Sequence, residues 1–319
     1  MRALGGRHGR PLAAGIVVVL VFLAGSILVQ GFGSLNSVRS LLLLGAFLGI
    51  ASAGQTIVVL LGGIDLSIPF LIDFGNVVAA EMTGSGHPLW QVLLVILVLA
   101  GLVGGLSGFI SARLRIHPLI VTLGVGYAVQ GAVLLWTKGF PSGAAPQGLP
   151  GFVSVSAHIG PLPFPPIILL WALVAVAVEF FLQRTVFGRR IYALGASPEA
   201  ARLALVPYIS TWVWTFALSA MFAAVAGVLL LGFTGSAFGD VGAPYLFQTV
   251  ATVVVGGTML TGGEGGYIGT IIGTLLVTEL TMVMNGMGVS SSIEEVFLGA
   301  IVVLLVMLYG RESHVRERI

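Results

Sequence analysis

A small set of polar side chains interrupts the long apolar runs of this chain, and these are the residues that could do chemistry: Gln55, Thr56, Asp65, Ser67, Asp73, Asn76 and Glu279. A charge at the centre of a bilayer costs roughly 2.5–3.5 kcal/mol on insertion scales, so each carboxylate there needs a physical reason. Asp73 and Asn76 fall one turn apart on one helix face, shortly after Pro69. Such a pair can bind the hydroxyls of a polar solute, or it can hold two helices together. Asp65 follows a Gly62-Gly63 break. Its carboxylate suits the free N–H groups near Ser67 as a cap, with direct ligation of a solute as the alternative. Glu279 stands in mid-segment beside Thr278 and Thr281, where helix-to-helix bonding competes with solute contact. Gln55 either lines a path or bridges helices. Asp73 and Glu279 would also serve as proton or sodium sites in an ion-coupled carrier. Glu179, near a segment end, suits snorkelling or pairing with Arg184.

Other chemistry is argued against by what the sequence contains. There is no cysteine, hence no disulfide, thiolate ligand or cysteine nucleophile. His8, His87, His117, His158 and His314 are scattered near segment ends, with no i, i+4 pair for a metal. Lys138 is the only lysine, and no Gly-x-x-x-x-Gly-Lys-[Ser/Thr] loop exists, so the chain is not itself a P-loop ATPase. Ser107 lacks a Gly-x-Ser-x-Gly elbow. No catalytic residue, metal site or cofactor is expected in this chain, and a net charge of +2 with dispersed basic residues does not suggest nucleic acid.

The elements that must position these groups are membrane helices. The 319 residues are 57% apolar and 8% charged, against about 25% charged in soluble domains. The expectation is an all-α polytopic membrane protein, residues 1–319 forming a single transmembrane domain. The apolar runs are Leu12 to Val29, Leu41 to Leu61, Leu66 to Met82, Trp90 to Ala112, Leu119 to Trp136, Ile167 to Leu182, Thr211 to Phe233, Tyr245 to Leu260, Tyr267 to Met284 and Ile293 to Tyr309. That gives about ten transmembrane helices, the first read as retained rather than cleaved. The third, sixth and eighth are short, and broken or short helices are expected near a translocation path. With N- and C-termini cytoplasmic, twelve of the fourteen Lys and Arg residues fall inside, and only Arg39 and Lys138 fall outside. Glycines at 101, 104, 105 and 108, and at 265, 269 and 273, predict close helix contacts. Gly62-Gly63-Ile-Asp-Leu-Ser67 and Gly256-Gly257-Thr-Met-Leu-Thr261 are faintly alike.

Residues 184–207 form the arginine-rich polar interruption, read as a cytoplasmic loop. Its second half predicts a short helix: Ser197 as N-cap, Pro198 in the first position, Glu199 at the positive end, and good helix formers until Pro207. A capped helix there offers another protein something to press on; alternatively, its arginines only fix topology.

Three stretches together resemble the permease subunits of ribose/simple-sugar ABC importers, within the branched-chain amino acid/ribose-type permeases. They are Val58-Val-Leu-Leu-Gly-Gly-Ile-Asp-Leu-Ser67, Phe187-Gly-Arg-Arg-Ile-Tyr-Ala-Leu-Gly-Ala-Ser-Pro-Glu-Ala-Ala-Arg202, and Val255-Gly-Gly-Thr-Met-Leu-Thr-Gly-Gly-Glu-Gly-Gly266 with Gly269-Thr-Ile-Ile-Gly273. The resemblance implies a permease that alternates access to a monosaccharide or related polar solute. It implies a second permease subunit, cytoplasmic ATPase subunits carrying ATP and Mg, an extracytoplasmic solute-binding protein, and a prokaryotic inner membrane. It implies that Gly195, Ser197, Glu199, Ala200, Ala201, Arg202 and Leu203 couple the chain to the ATPase. Nucleoside or branched-chain amino acid import stands as an alternative within that architecture, and an ion-coupled secondary transporter outside it. Two departures stand out. Ile68-Pro69-Phe70 and Asp73 replace the usual Val-Gly-Ser and small residues, so Asp73 is expected to touch the solute or the partner's path. Leu205-Val206-Pro207 replaces the usual Gly-Ile-Asn.

Overall fold

A computed structural model describes residues 9–316; Arg2, Arg7, His8 and Arg318 lie outside them. The described residues form helices α1 (Gly9–Leu28), α2 (Leu35–Leu60), α3 (Ile68–Gly84), α4 (Leu89–Leu114), α5 (Pro118–Trp136), α6 (Leu149–Val153), α7 (Pro166–Arg184), α8 (Val186–Ala196), α9 (Pro198–Leu203), α10 (Tyr208–Thr234), α11 (Tyr245–Val255), α12 (Tyr267–Gly286) and α13 (Ser291–Arg316). Each of the ten apolar runs coincides with a helix, and among the described residues six helices (α2, α4, α5, α7, α10 and α12) are long and apolar enough to cross a membrane.

Two lengths differ from expectation. The sixth run is not short: Pro165 and Pro166 start α7 earlier, and it continues to Arg184 for 19 residues. The eighth is shorter than expected. α11 has 11 residues, about 16 Å at 1.5 Å per residue, half of a hydrocarbon core. It stops because Gly257 turns left-handed at φ 84°. The amide of Gly257 then bonds the Val254 carbonyl, and Thr258 that of Val253. α2 ends the same way, with Gly62 at φ 92° and Gly63 bonding back to Val58. The likeness between the two glycine pairs is therefore one C-terminal cap used twice.

α2 and α10 are the most enclosed spans, whereas α5 and α7 leave most of their surface outward. α10 packs on α4, α3 and α2. Glycines make those seams close. A Cβ at Gly104 would strike the Phe216 carbonyl and Ala220, and one at Gly108 the Trp212 carbonyl. On the α3 side, Gly75 meets the Ala224 carbonyl and Gly227 the Ile72 carbonyl. Gly269 and Gly273 do the same for α12 on α11, against Gly256 and Thr252. Gly265 precedes α12 and belongs to the turn before it. Without a hydrophobic drive between helices in lipid, this backbone-to-backbone packing and buried hydroxyl bonds carry the association. Thr56 with Thr270 at 2.8 Å and Thr252 with Ser52 at 2.9 Å are examples.

Candidate functional site

Most of the predicted polar residues gather around α3, against which non-helical backbone packs at two places. The first is the turn between α2 and α3. Asp65 Oδ1 accepts from the Ser67 amide at 2.9 Å and the Ser67 hydroxyl at 2.6 Å. Its Oδ2 accepts from Ser219 of α10 at 2.7 Å. The Asp65 amide donates to Gln55 Oε1 of α2 at 3.3 Å, and the Leu66 amide to Thr122 of α5 at 3.0 Å. Irregular backbone survives at such depth only when other groups take its hydrogen bonds; here α2 and α5 do so through Gln55 and Thr122, and the Asp65 carboxylate takes the Ser67 amide. Gln55 Nε2 is buried without a partner among the described residues.

The second place is the connection from α10 to α11, residues 235–244, which lies along α3. Asp73 Oδ1 accepts from the Gly242 amide at 2.7 Å. Asn76 Oδ1 accepts from the Phe238 amide at 3.0 Å, and its Nδ2 donates to the Gly227 carbonyl at 3.4 Å. The shared face expected from the i, i+3 spacing is thus turned to this connection. Asp73 and Asn76 are buried and hold backbone there. Gly242 lies against the Pro69 carbonyl, a contact that a side chain would prevent. The unusual Asp73 therefore has a structural partner.

Glu279 stands apart on α12, which packs on α1, α2, α7 and α11. It is buried, and its Oε2 has no hydrogen-bond partner among the described residues; nor have the hydroxyls of Thr274 and Thr278. Thr281 bonds instead to Glu294 of α13 at 2.6 Å. Glu179 is bonded by Gln183, its neighbour one turn on.

Residues 184–207 hold two helices rather than one. α8 starts at Thr185, whose hydroxyl accepts from the Gly188 amide at 3.1 Å. Ser197 caps α9 through the Ala200 amide at 3.2 Å, with Pro198 in the first turn. α9 ends at Leu203, earlier than Pro207 would require, because Leu205 adopts φ 57°. The Leu205 amide bonds to Arg202 and that of Val206 to Ala201, closing the helix. Glu199, Ala200 and Arg202 are exposed, as are Leu203 (83%) and Leu205 (89%), while Ala201 is buried and Ser197 half-buried. Gly195 of α8 sits directly against the Leu60 carbonyl and the Gly263 amide. Gly263 N–H donates to Leu60 at 2.9 Å, and Tyr192 hydroxyl to the Gly265 carbonyl at 3.0 Å. The three motif stretches thus meet at one junction. The partners of the polar residues beside α3, Ser219, Thr122, Gly242 and Phe238, left no mark in the sequence, because each is an ordinary residue made important by a distant neighbour.

These features define a helical membrane protein with interrupted inner helices and a two-helix unit seated on its glycine motifs. The chain belongs to the family described as branched-chain amino acid transport system / permease component, which it matches over residues 37–306. It is similar to the ribose import permease protein RbsC of Haemophilus influenzae, 30% identical over 296 residues that cover 92% of this chain and 90% of that protein. It is also similar to the autoinducer 2 import system permease protein LsrD of Escherichia coli K12, 30% identical over 267 residues, 83% of this chain and 80% of that one. No solved structure matches the chain.

Proposed function

We propose that this chain is the membrane-spanning permease subunit of an ATP-binding-cassette importer that carries a monosaccharide or related polar solute into the cell. The observation that carries the reading is the α8–α9 unit: capped, exposed on its outer face, and joined through Gly195 to both glycine-rich turns. Family membership supports it, as do relatives whose names specify ribose and autoinducer 2. In this reading ten helices span a prokaryotic inner membrane with both termini cytoplasmic, residues 184–207 lie inside, and Arg39 and Lys138 lie outside. A second permease, identical or homologous, completes the path. ATP and Mg reside on cytoplasmic ATPase subunits that press on Gly195, Ser197, Glu199, Ala200, Ala201, Arg202 and Leu203. An extracytoplasmic binding protein delivers the solute.

The mechanism follows from the junction. A push on α9 moves α8, and Gly195 transmits it to Leu60 and Gly263 because their backbones touch. The turn at Asp65 and the start of α3 follow, since Asp65 ties that turn to α10. Packed interfaces of this kind respond by switching between discrete arrangements, which is what alternating access requires. Gln55, Asp65, Ser67, Asp73 and Asn76 act in it by holding the interrupted backbone. Glu279, with an unpartnered Oε2, is the observation behind a second reading, ion-coupled transport. Proteoliposomes holding the permease, its ATPase and a loaded binding protein separate the two: the importer takes up sugar with ATP and no ion gradient, and an ion-coupled carrier does the reverse.

A further inference from the structure

The connection from α10 to α11, residues 235–244, has a second side that its bonds to α3 leave open. The side against α3 is fixed. The Gly242 amide bonds to Asp73, the Phe238 amide to Asn76, and Gly242 rests on the Pro69 carbonyl. The upper end is tied to the loop after α5: the Ala145 amide donates to the Gly235 carbonyl at 3.0 Å and the Ala237 amide to that of Gly143 at 3.2 Å. Elsewhere along this stretch Phe238, Asp240, Ala243 and Pro244 are exposed. Depth makes that exposure informative. In the orientation proposed above, Asp73 lies about 16 Å of helix below the outer end of α3 at Gly84. That is near the middle of a hydrocarbon core about 30 Å thick. Asp240 stands at a similar depth, two residues from the amide that Asp73 holds. A carboxylate there is costly against lipid, and irregular backbone at that depth is buried in protein or lines water. Asp240 does not cap α11, whose N-cap is Pro244 with no side-chain bond. Among the described residues no group donates to its carboxylate. By contrast, the carboxylates that the sequence offered for the path, Asp65, Asp73 and Glu279, are buried.

We propose that the exposed side of this connection is a solute-contacting surface of the translocation path, with Asp240 accepting hydrogen bonds from sugar hydroxyls and Phe238 lying against the sugar's carbon face. A carboxylate offers two acceptor oxygens, which suits a ligand with adjacent hydroxyl donors. An aromatic ring two residues away supplies the apolar surface that the C–H face of a sugar needs. The inference rests on the importer reading and adds where the solute is touched. Asp73 and Asn76 become positioning residues for a segment they hold, and the second permease closes the other side of the path. Contact through one carboxylate remains weak enough for release.

The test uses proteoliposomes holding the assembled importer, its binding protein and the sugar that the unaltered importer takes up with ATP. Uptake of that sugar is compared with uptake of those of its monodeoxy analogues that the binding protein still carries. In the unaltered importer, the analogue lacking the contacted hydroxyl is expected to move about tenfold more slowly. Asp240→Asn is expected to slow the sugar itself about tenfold and to shrink that difference, which a purely structural role would not do. Melting temperature and the hydrogen exchange of residues 238–242 are expected to stay at the unaltered values, which excludes misfolding. Because the chain has no cysteine, Asp240→Cys places a single thiol at the site. It is expected to react with a membrane-impermeant thiol reagent supplied on both sides, read as a mass shift of this chain. A thiol that stays unlabelled overturns the placement on a water-filled path. Unchanged uptake and analogue ranking in Asp240→Asn overturns the sugar contact. So does loss of the permease pair from Asp240→Asn in native mass spectrometry, which would assign Asp240 to the interface between subunits. Each of these is read beside an unaltered importer that works. If the unaltered assembly moves no sugar with ATP, the importer reading fails first, and the solute surface with it.

Discussion

The amide of Gly263 donates to the carbonyl of Leu60 across 2.9 Å, and Gly195 lies directly against both groups. One hydrogen bond therefore joins the glycine turn after α11 to the end of α2, with α8 laid over it. A Cβ at Gly195 would collide with the Leu60 carbonyl, which is backbone and has no rotamer to yield. Gly195→Ala is expected to cost about 1–3 kcal/mol locally through overpacking. It is expected to lower the solute moved per ATP hydrolysed by the assembled importer, while the hydrolysis rate falls less. Uptake and hydrolysis reduced in equal proportion would show that the junction does not transmit the push.

Asp65 and Ser219 form the charged counterpart of that junction, at 2.7 Å. Ser219→Ala removes one hydrogen bond to a buried carboxylate, a loss of about 1.5–3 kcal/mol. The Ser67 bonds remain, so the fold is expected to persist with a lower melting temperature in detergent. Asp65→Ala removes the acceptor for all of them and is expected to cost more. Equal melting temperatures for Ser219→Ala and the unaltered chain would contradict this.

Asp73 separates holding backbone from binding solute or ion. Asp73→Asn keeps an oxygen for the Gly242 amide, whereas Asp73→Ala does not. Asn is expected to preserve uptake and the slow hydrogen exchange of residues 238–242. Ala is expected to speed that exchange about tenfold, equivalent to about 1.4 kcal/mol of lost protection. If Asn abolishes uptake as fully as Ala while exchange stays slow, Asp73 contacts the transported species.

Leu205 occupies a left-handed position at φ 57°, a conformation that costs a residue with a side chain roughly 1–2 kcal/mol. Leu205→Gly is expected to slow amide exchange at Leu205 and Val206, whose bonds close α9. Faster exchange there would mean that the Leu205 side chain, rather than the turn, stabilises the helix end.

Much of this architecture was legible because apolar runs, caps and glycine breaks act locally. The ten apolar runs each became a helix, and Ser197 and Pro198 announced α9 in the correct place. α8 was missed because its arginines and glycines hide an amphipathic turn pattern inside what reads as a loop. The end of α9 was misplaced because no propensity rule puts leucine in a left-handed cap. Asp73 and Asn76 were read correctly as one face, but the sequence has no means of saying what that face meets. The connection at Phe238 and Gly242 lies far along the chain, and its amides carry no side-chain signature.

The most direct measurement is solute uptake by proteoliposomes containing this permease, its ATPase subunits and the loaded binding protein. It is made with ATP or with an imposed proton or sodium gradient, for the unaltered chain and for Arg202→Glu. The expected result is ATP-dependent uptake of one sugar without any gradient, lost in Arg202→Glu because its charge reversal lies on the exposed face of α9. Uptake driven by a gradient alone, indifferent to ATP and to Arg202, would contradict the importer and make Glu279 the residue to pursue.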